Sequence, residues 1–413
     1  MFQTNSHLEI PPTAGLPLTF KDLVSTRPDA FAQHLAEFLD VPAVGVECSG
    51  TACLVIILHT LHRLSSRNTV IIPAYTCPLV VWAIVQSRLQ IRICDIQPDS
   101  VALDPHALAK LCDSDTLAII PTHLGGRVVN VEPVMTLARQ CGAYVIEDAA
   151  QSLGARDQGR SVGLRGDVSF FSLAAGKGLS IFEGGFWISA NEDLRMELAK
   201  TSRDLVQRRL GWETLRCLQL LGYAALYRPR TLRYIYGNAV RRALRRQNPA
   251  EAAGDYFSSR IPIHRVSTWR LSVGARALRR VGDFQQTLTR MAAVRGPRLM
   301  AVPGLTFLQD PPGTTGTWPL FMIQLPNEYL RDRVLNSLWG AGVGVARMFA
   351  YALPDYDYLR PWVGTSAVPN ARRFAACSLT ISNSPWLDDH RFEFILQTLS
   401  EHCREATSAG DRR

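Results

Sequence analysis

The chain is poor in lysine. Of its 413 residues, 45 are Lys or Arg, and only four of these are lysines: Lys21, Lys110, Lys177 and Lys200. All the others are arginines, and the formal net charge is +9. A reaction that needs a lysine amine therefore has four candidate residues.

Features of secreted, membrane-spanning and metal-binding proteins are also missing. The nine cysteines are odd in number and have no CxxC spacing, which predicts reduced thiols and no metal site. The first residues lack the basic start and apolar core of a signal peptide, so we expect a cytoplasmic protein. No window approaches the roughly 18 consecutive apolar residues that a membrane span needs, so we expect no transmembrane helix.

The composition is that of an ordinary globular protein. With 47% apolar and 20% charged residues, the chain is neither disordered nor collagen-like. Its length predicts roughly two to three domains with a sizeable core.

Short apolar runs alternate with helix-length segments over the first 200 residues. The predicted strands are 69–72, 89–95, 117–121, 143–147 and 168–173. The predicted helices are 51–64, 79–86, 105–111 and 131–140. This alternation is typical of βαβ units, and it predicts an α/β fold with a mainly parallel sheet covered by helices on both faces.

We predict three parts in the chain. Residues 1–200 form the large α/β domain, which starts with a loose Pro-rich stretch at 8–18. Residues 201–260 are an Arg- and aromatic-rich insertion. Residues 261–413 form a smaller α+β domain. Its predicted elements are helices 272–294, 327–339 and 391–403 and a strand at 318–325.

The insertion carries the charge of the whole chain. Residues 203–246 hold 11 arginines and two acids, around an apolar middle at 218–227. Three interpretations stay open. The first is a helical excursion packed on the protein or a dimer partner with solvated arginines, and the second is an interfacial helix on an anionic membrane surface. The third is contact with an acidic or lipid-linked substrate. In each case, we expect the segment to be peripheral to the chemistry.

The segment 144–187 carries the chemistry. One predicted strand ends in Asp148, and the next delivers Ser172 and, five residues later, Lys177 between two glycines. Ligand sites in open α/β sheets lie at the carboxyl ends of strands, where a desolvated lysine becomes a nucleophile for carbonyls. The alternative for Lys177 taken by itself is a solvated loop lysine.

A second feature points to a phosphate. Ser49 to Ala52 open a predicted helix, where free amides and the positive dipole end favour an anion, although a plain N-cap is the alternative. An amine for an aldehyde, an anion for a pyridinium nitrogen and amides for a phosphate are together what pyridoxal 5′-phosphate requires.

In these motifs the chain resembles the DegT/DnrJ/EryC1/StrS family of sugar aminotransferases, which have the fold-type I pyridoxal-phosphate architecture. The resemblance is dense over residues 45–191 and moderate from about residue 265 onward. Characteristic matches are SGTA (49–52), VIIPAYT (70–76), CDIQPDSVALDP (94–105), IIPTHLGG (119–126), VIEDAAQSLGA (145–155), GRSVGLRGDVSFFSL (159–173) and EGGFWIS (183–189).

The resemblance assigns a role to each matching residue. It makes Lys177 the lysine that joins the cofactor and moves the proton, and Asp148 the partner of the pyridine nitrogen. It places Gln151 at the 3-oxygen. Ser172, Gly50 and Thr51 match the phosphate site.

The chain departs from the family pattern at the site itself. Cys77 stands where an aromatic usually stacks on the cofactor ring, so a thiol lies near the pyridine or packs without a chemical role. The usual HLYG is HLGG, with Gly125 in place of the aromatic beside His123, which is itself a pocket-lining or structural residue. Gly178 replaces the usual Asn after the lysine. Arg265 falls near the segment that approaches the partner's site in family members, with a plain surface arginine as the alternative.

The resemblance implies an aminotransferase that moves an amino group from glutamate to a nucleotide-linked keto-sugar in polysaccharide, glycan or natural-product biosynthesis. It also implies a homodimer with sites at the subunit interface. The alternatives are a pyridoxal-phosphate dehydratase or lyase, against which Lys177 argues, and a non-catalytic regulator with the same fold. We expect no nucleic-acid partner, and peripheral contact of 203–246 with the inner face of the membrane stays a hypothesis.

Overall fold

A computed structural model describes residues 8–24 and 30–410, with side chains up to residue 404. The described residues form fourteen strands: β1 (Gly45–Glu47), β2 (Thr69–Pro73), β3 (Gln90–Cys94), β4 (Thr116–Ile119), β5 (Tyr144–Asp148), β6 (Arg156–Asp157), β7 (Arg160–Ser161), β8 (Val168–Ser172), β9 (Gly185–Ile188), β10 (Thr306–Phe307), β11 (Thr314–Thr315), β12 (Leu320–Gln324), β13 (Val345–Ala346) and β14 (Ser378–Ser382).

The helices of the described chain are α1 (Phe20–Leu23), α2 (Phe31–Leu39), α3 (Gly50–Leu64), α4 (Pro78–Gln86), α5 (Pro105–Leu111), α6 (Glu132–Cys141), α7 (Glu192–Leu205), α8 (Leu210–Leu226), α9 (Pro229–Leu232), α10 (Asn238–Arg245), α11 (Pro249–Ala253), α12 (Thr268–Leu278), α13 (Val281–Met300), α14 (Glu328–Leu338), α15 (Arg360–Val363), α16 (Pro369–Cys377) and α17 (Asp389–Gly410). A π-helical turn, Arg233–Gly237, links α9 to α10.

The largest sheet has seven strands in the order β1-β9-β8-β5-β4-β2-β3. The neighbouring pairs β3–β2, β2–β4, β4–β5 and β5–β8 are parallel, whereas β9 runs antiparallel to both β8 and β1. This order confirms the predicted mainly parallel sheet. Because the parallel strands end at one edge, β5 and β8 bring Asp148 and Ser172 to the same edge of the sheet, with Asp148 paired to Phe170.

Both faces of this sheet are covered, as the sequence predicted. Val70 and Ile146 belong to a buried cluster that also contains residues of α3 and α4. Ile71 and Val145, one position away on the same strands, pack with residues of α5 and α6 instead. Consecutive residues of a strand point to opposite faces, so two helical layers enclose the sheet.

A second sheet of four antiparallel strands lies in the C-terminal part, in the order β10-β12-β14-β13. Helices α14 and α17 contribute to its core. The predicted strand at 318–325 and helices at 327–339 and 391–403 are therefore confirmed. The division of the chain at residues 200 and 260 stays a proposal. Helix α12 lies beyond residue 260 yet packs against α2.

Two local expectations were wrong. The predicted helix 272–294 is two helices, α12 and α13, separated at Arg279 and Arg280; Arg280 pairs with Asp22 and bonds the carbonyl of Pro17. The stretch 8–18 has no regular structure but is not loose. Ile10 forms a bridge with Val343 and is buried, like Leu16 and Leu18.

Candidate active site

A cavity of about 390 Å³ opens at the carboxyl edge of the large sheet. All seven site residues predicted from the sequence line it: Gly50, Thr51, Cys77, Asp148, Gln151, Ser172 and Lys177. The structure therefore brings the predicted residues together, although they are spread over more than 120 positions of the chain.

Lys177 lies in the turn that follows β8. Its N–H donates to the carbonyl of Ala174, and the preceding Gly176 has φ +79°, a conformation that favours glycine. The Nζ atom has no hydrogen-bond partner among the described residues. Burial lowers the pKa of Lys177, and Cys77 and Asp148 offset this only in part. A lowered pKa makes more of the neutral, nucleophilic amine available at neutral pH.

Asp148 ends β5 and is almost fully buried. Burial raises the pKa of its carboxyl to about 6, against a hydrogen bond from the N–H of Ala150 and the charge of Lys177. A buried carboxylate of this kind gains most from a cationic partner. A protonated ring nitrogen would be such a partner.

The start of α3 has the features of an anion site. Ser49 caps the helix by accepting the N–H of Ala52 at 3.0 Å, which confirms the N-cap interpretation. The N–H groups of Gly50 and Thr51 have no partner among the described residues, and both residues line the cavity. Ser172 contributes a hydroxyl to the same cavity. The N-cap and anion interpretations are therefore compatible.

Gln151 is held at one end of its amide only. Its Oε1 accepts the N–H of Gly125 at 2.7 Å, whereas its Nε2 lies 3.6 Å from the sulfur of Met348. The amide NH₂ is thereby left with a weak partner beside the cavity. It can donate to an oxygen atom of a bound ligand.

His123 is a structural residue of the cavity wall. Its Nδ1 accepts the N–H of Val129 at 3.1 Å, and its Nε2 lies 2.9 Å from Oε2 of the buried Glu147. Burial opposes ionisation of Glu147, but the hydrogen bonds of His123 and of the Gly166 and Gly163 amides outweigh it, so the pKa of this carboxyl lies below its usual value. Both ring nitrogens are engaged, which leaves none to exchange protons with a substrate.

The three departures from the family pattern leave small side chains around the cavity. Burial raises the pKa of Cys77 to about 12, so the thiol is protonated at neutral pH. Gly125 has φ +64°, and a Cβ there would lie 2.6 Å from the sulfur of Met322. At Gly178, by contrast, no atom lies within 4 Å of an added Cβ.

Several cavity residues come from the C-terminal half, and no pattern in the sequence indicates them. Met348 and Phe349 follow β13, and Asp255 follows α11. Asp255 accepts the hydroxyl of Tyr356 at 2.5 Å and the N–H of Ala350 at 2.7 Å. Only the tertiary fold brings these residues to the carboxyl ends of β5 and β8.

Two other predicted features are Arg265, which lies away from the cavity, and the insertion, which contacts the turn of Lys177. Arg265 is exposed, its N–H bonds the carbonyl of Gln207, and it does not line the cavity of its own chain. The insertion is not peripheral to the site, contrary to our expectation. Tyr223 of α8 is buried, and its hydroxyl accepts the N–H of Gly176 beside Lys177 at 3.3 Å.

Comparison with solved structures identifies the fold. A putative sugar aminotransferase of Streptococcus pneumoniae in its PMP form superposes on 98% of this chain with a TM-score of 0.76. The match covers 100% of that protein, and the sequence identity is 17%. Helicobacter pylori PseC, an aminotransferase of pseudoaminic acid biosynthesis, gives a TM-score of 0.73 over 96% of this chain and 100% of its own, also at 17% identity. The fold is that of the fold-type I pyridoxal-phosphate transferases.

Residues 24–223, just under half of the chain, match the model of the DegT/DnrJ/EryC1/StrS aminotransferase family. Protein MosB of Rhizobium meliloti is 34% identical over 176 residues, which are 41% of this chain and 33% of MosB. GDP-perosamine synthase of Vibrio cholerae is 30% identical over 166 residues, or 40% of this chain and 45% of the synthase. The matched stretch thus spans a third to a half of these relatives.

Pyridoxal 5′-phosphate is the cofactor that the fold and family imply, and the residues present fit it. The unbonded amides at the start of α3, the hydroxyl of Ser172, the buried carboxyl of Asp148 and the free amine of Lys177 face one cavity. The amides and the hydroxyl are complementary to a phosphate, the carboxyl to a ring nitrogen and the amine to an aldehyde.

Proposed function

We propose that the protein is a pyridoxal-phosphate-dependent aminotransferase. The observation that carries this proposal is the placement of Asp148 at the end of β5 and of Lys177 in the turn that follows the neighbouring β8, both lining one cavity together with the start of α3. When bound, the cofactor supplies an electron sink for the carbon that carries the transferred nitrogen.

Each residue has a defined task in this proposal. Asp148 would hold the proton on the ring nitrogen, and Gln151 would donate to the ring oxygen through Nε2. Ser172 and the amides of Gly50 and Thr51 would hold the phosphate. Lys177 would bind the aldehyde covalently and, once displaced by the donor, move a proton at Nζ between the two carbons that flank the transferred nitrogen.

The substrates we propose are glutamate as amino donor and a nucleotide-linked keto-sugar as acceptor. Two relatives support sugar-like acceptors: the GDP-perosamine synthase named above and a putative L-glutamine:3-amino-2,3-dideoxy-scyllo-inosose aminotransferase of Streptomyces kanamyceticus. The latter is 30% identical over 197 residues, 46% of this chain and 47% of its own. The products would serve polysaccharide, glycan or natural-product biosynthesis in the cytoplasm.

The test is a spectral titration of the purified holoenzyme with glutamate. Conversion of the visible band of the lysine-bound cofactor to the pyridoxamine band is the expected result. A panel of nucleotide-linked keto-sugars should then restore the first band for the true acceptor. A band that no amino donor alters would overturn the proposed reaction.

We also propose that the insertion touches the inner face of the membrane. Among the described residues, no helix is both long and apolar enough to cross a bilayer. Helix α8, however, exposes Leu210, Leu218 and Leu221 by 80%, 61% and 44%, respectively, on the side opposite Tyr223. Tyr234 and Ile235, in the π-helical turn of the same segment, are exposed as well.

The same segment carries positive charge that has no carboxylate partner among the described residues. Five exposed arginines of the segment pair with no described carboxylate: Arg203, Arg208, Arg230, Arg242 and Arg245. A segment that combines exposed apolar side chains in helical register with unpaired arginines suits an anionic lipid surface.

Cosedimentation with anionic vesicles tests this contact. The double variant Leu218→Ser/Leu221→Ser should bind phosphatidylglycerol vesicles at least about tenfold more weakly than the wild type, because two fully buried leucines contribute about 4 kcal/mol and losing a third of that lowers the affinity about tenfold. Leu64→Ser, at an exposed leucine of α3, is the control. A wild type that fails to bind at low salt would exclude the membrane and leave a protein partner for this surface.

A further inference from the structure

A second cavity, of about 580 Å³, lies between the insertion and the C-terminal part of the chain. On the insertion side, α10 and residues 247–249 line it. On the other side, it is lined by α14 and by residues that follow β13. Among the described residues, none lines both this cavity and the cofactor cavity. The second cavity is therefore a separate candidate site.

Arginines from three parts of the fold line this cavity. They are Arg241 and Arg245 from α10, Arg331 from α14 and Arg347 after β13. The two arginines of α10 are four positions apart, which places them on one face of that helix. The fold thus collects positive charge from elements that are distant in the sequence.

The charge of these arginines is only partly balanced. Arg241 pairs with Glu9 at 2.8 Å and donates to the carbonyl of Gly340 at 3.3 Å, so it fastens α10 to the residues after α14. Arg245 is exposed and Arg347 is half-buried, and neither forms an ion pair with a carboxylate of the described chain. Two cations without a counter-ion therefore line the cavity.

Buried donors in the cavity wall are unsatisfied. Arg331 is 1% exposed; its Nη2 bonds Glu328 at 2.9 Å and its Nε lies 2.9 Å from Asp332, but its Nη1 has no hydrogen-bond partner among the described residues. Trp339 also lines the cavity and is 5% exposed, and its indole Nε1 likewise has none. A buried donor without an acceptor is costly, and an oxygen atom of a ligand would remove that cost.

The like charges in this wall lie close together. Burial and then the charge of Arg331 lower the pKa of Arg347. Glu328 and Asp332 also line the cavity, but both are engaged with Arg331, and their side chains are 63% and 56% exposed to solvent. Exposed carboxylates are screened by water and offset a buried charge only in part. A ligand with at least two negative charges would relieve this repulsion.

We propose that the second cavity binds a ligand that carries a diphosphate group. The planar guanidinium of arginine holds phosphate oxygens through paired N–H···O bonds, and two linked phosphates can meet cations from two elements. The inference goes beyond the proposed reaction, because this ligand is held outside the cofactor cavity.

The cavity has room for more than the diphosphate. Its volume lies within the roughly 300–1,000 Å³ that is usual for sites of drug-sized ligands. Leu244 and Leu335 offer apolar contacts to the rest of the ligand, and the amides of Asn248 and Asn336 offer hydrogen bonds. Two sources supply such a ligand: a soluble nucleoside diphosphate and a diphosphate linked to a lipid.

Calorimetric titration of the holoenzyme with inorganic pyrophosphate tests the site. The bound cofactor keeps pyrophosphate away from the start of α3. We expect Arg245→Gln to raise the Kd at least about fivefold. Arg242→Gln removes the same charge from an exposed position of α10 that does not line the cavity, so it is the matched control and should bind as the wild type does. Equal weakening in both variants, or in neither, would overturn the site.

A second pair of variants narrows the cavity without changing its charge. Asn336→Trp enlarges an exposed side chain that lines it, whereas Ser337→Trp enlarges the neighbouring exposed side chain, which does not. With uridine 5′-diphosphate as the probe, Asn336→Trp should raise the Kd at least about fivefold and Ser337→Trp should leave it unchanged. Equal effects of the two variants would contradict binding in this cavity.

The two sources are separated by comparing the wild type with Arg245→Gln on two further ligands. Tighter binding of uridine 5′-diphosphate that depends on Arg245 indicates a soluble nucleotide. Tighter binding to phosphatidylcholine vesicles containing farnesyl diphosphate that depends on Arg245 indicates a lipid-linked diphosphate. Glutarate is the third ligand, and binding of glutarate as tight as that of pyrophosphate, with the same dependence on Arg245, would overturn the choice of a diphosphate.

Failure of the proposed reaction is a separate result. If glutamate leaves the visible band unchanged while pyrophosphate binding still depends on Arg245, the aminotransferase assignment with this donor fails and the diphosphate site stands.

Discussion

At the scale of single residues, the site consists of groups whose ionisation the fold has already shifted. The pKa of Asp148 is raised to about 6 and that of Lys177 is lowered, both chiefly by burial. Each charged form is therefore disfavoured in the free protein. A ligand that brings a cationic nitrogen to Asp148 and an aldehyde to Lys177 stabilises both sites at once.

Lys177→Ala should abolish transamination while leaving weak cofactor binding. Asp148 and the phosphate site are unchanged, but the covalent attachment and the proton-transfer base are both lost, so we expect a fall of at least about 10³-fold in rate. Absorbance spectra and single-turnover assays measure this. Lys200→Ala, at an exposed lysine of α7, should behave as the wild type. Borohydride labelling of any lysine other than Lys177 would contradict the assignment.

Substitution by alanine should destabilise the protein at one glycine of the site, Gly125, and should change its stability little at the other, Gly178. Gly125→Ala is expected to destabilise the protein by about 1–3 kcal/mol, because it forces a Cβ onto a backbone with φ +64° and against Met322. Gly178→Ala should change stability by less than about 0.5 kcal/mol, since the space beside it is open. Denaturant unfolding of the apoprotein measures both. Equal effects would mean that the backbone at Gly125 is not strained.

Residues of the site were predictable where they follow short-range patterns. Asp148 and Ser172 end strands whose apolar runs are visible in the sequence, and Lys177 lies in a glycine-flanked turn. Asp255 and Met348 could not be predicted, because nothing local in the sequence marks them as residues of the cavity. Their position depends on how the C-terminal sheet packs against the large one.

At the scale of elements, α8 joins the site to the outer surface. Its inner side carries Tyr223, which bonds the turn of Lys177, and its outer side is apolar and exposed. Near the start of α8, Glu213 accepts the N–H of Ser267 and a guanidinium hydrogen of Arg270, both at 2.8 Å. These bonds fix α8 to α12 and thereby fix the position of Tyr223.

His264, Glu183 and Glu213 form an ion cluster where α8 meets α12. This cluster should make the free energy of unfolding depend on pH. Burial opposes the charge on both His264 and Glu213, but their pairing outweighs it. The pKa of His264 rises from 6.5 to about 9 with Glu183 and Glu213 beside it, and that of Glu213 falls from 4.5 to about 2. The histidine's contribution is complete below pH 6.5 and is lost as pH rises towards 9. The glutamate's is present above pH 4.5 and is lost as pH falls towards 2.

The free energy of unfolding of wild type and His264→Gln tests this. The wild type should be more stable by about 1–3 kcal/mol at pH 5–6, and the difference should shrink by pH 9. His106→Gln, at an exposed histidine of α5, should show no such trend. A difference that grows with pH would contradict a protonated His264.

Elements were predictable in the first 200 residues because their strands are short apolar runs separated by polar helix starts. The single helix expected over 272–294 was wrong for a related reason. The apolar pattern continues through Leu278 and Val281, and both are buried. The break at Arg280 depends on its bonds to Asp22 and Pro17, which are distant in sequence.

At the scale of the whole molecule, the homodimer that the family resemblance implies would add a residue of the partner to each site. Arg265 is exposed on the segment just after the insertion and does not line the cavity of its own chain. In a symmetric dimer a residue that contributes to the partner's site does so twice. An Arg265 that serves the partner explains why this arginine resembles a family site residue yet lies away from Lys177.

Mixed dimers test this arrangement directly. We expect Lys177→Ala and Arg265→Ala each to be nearly inactive alone. Coexpressed in equal amounts, they should recover about a quarter of wild-type activity, because half of the dimers are mixed and one of the two sites in each mixed dimer holds both native residues. If Arg265 acts within its own chain, no mixed site is intact and the mixture stays inactive. Lys177→Ala mixed with Asp148→Asn is the control, since these two residues share one chain's cavity and recovery there would reveal recombined or contaminating wild-type chains instead of shared sites.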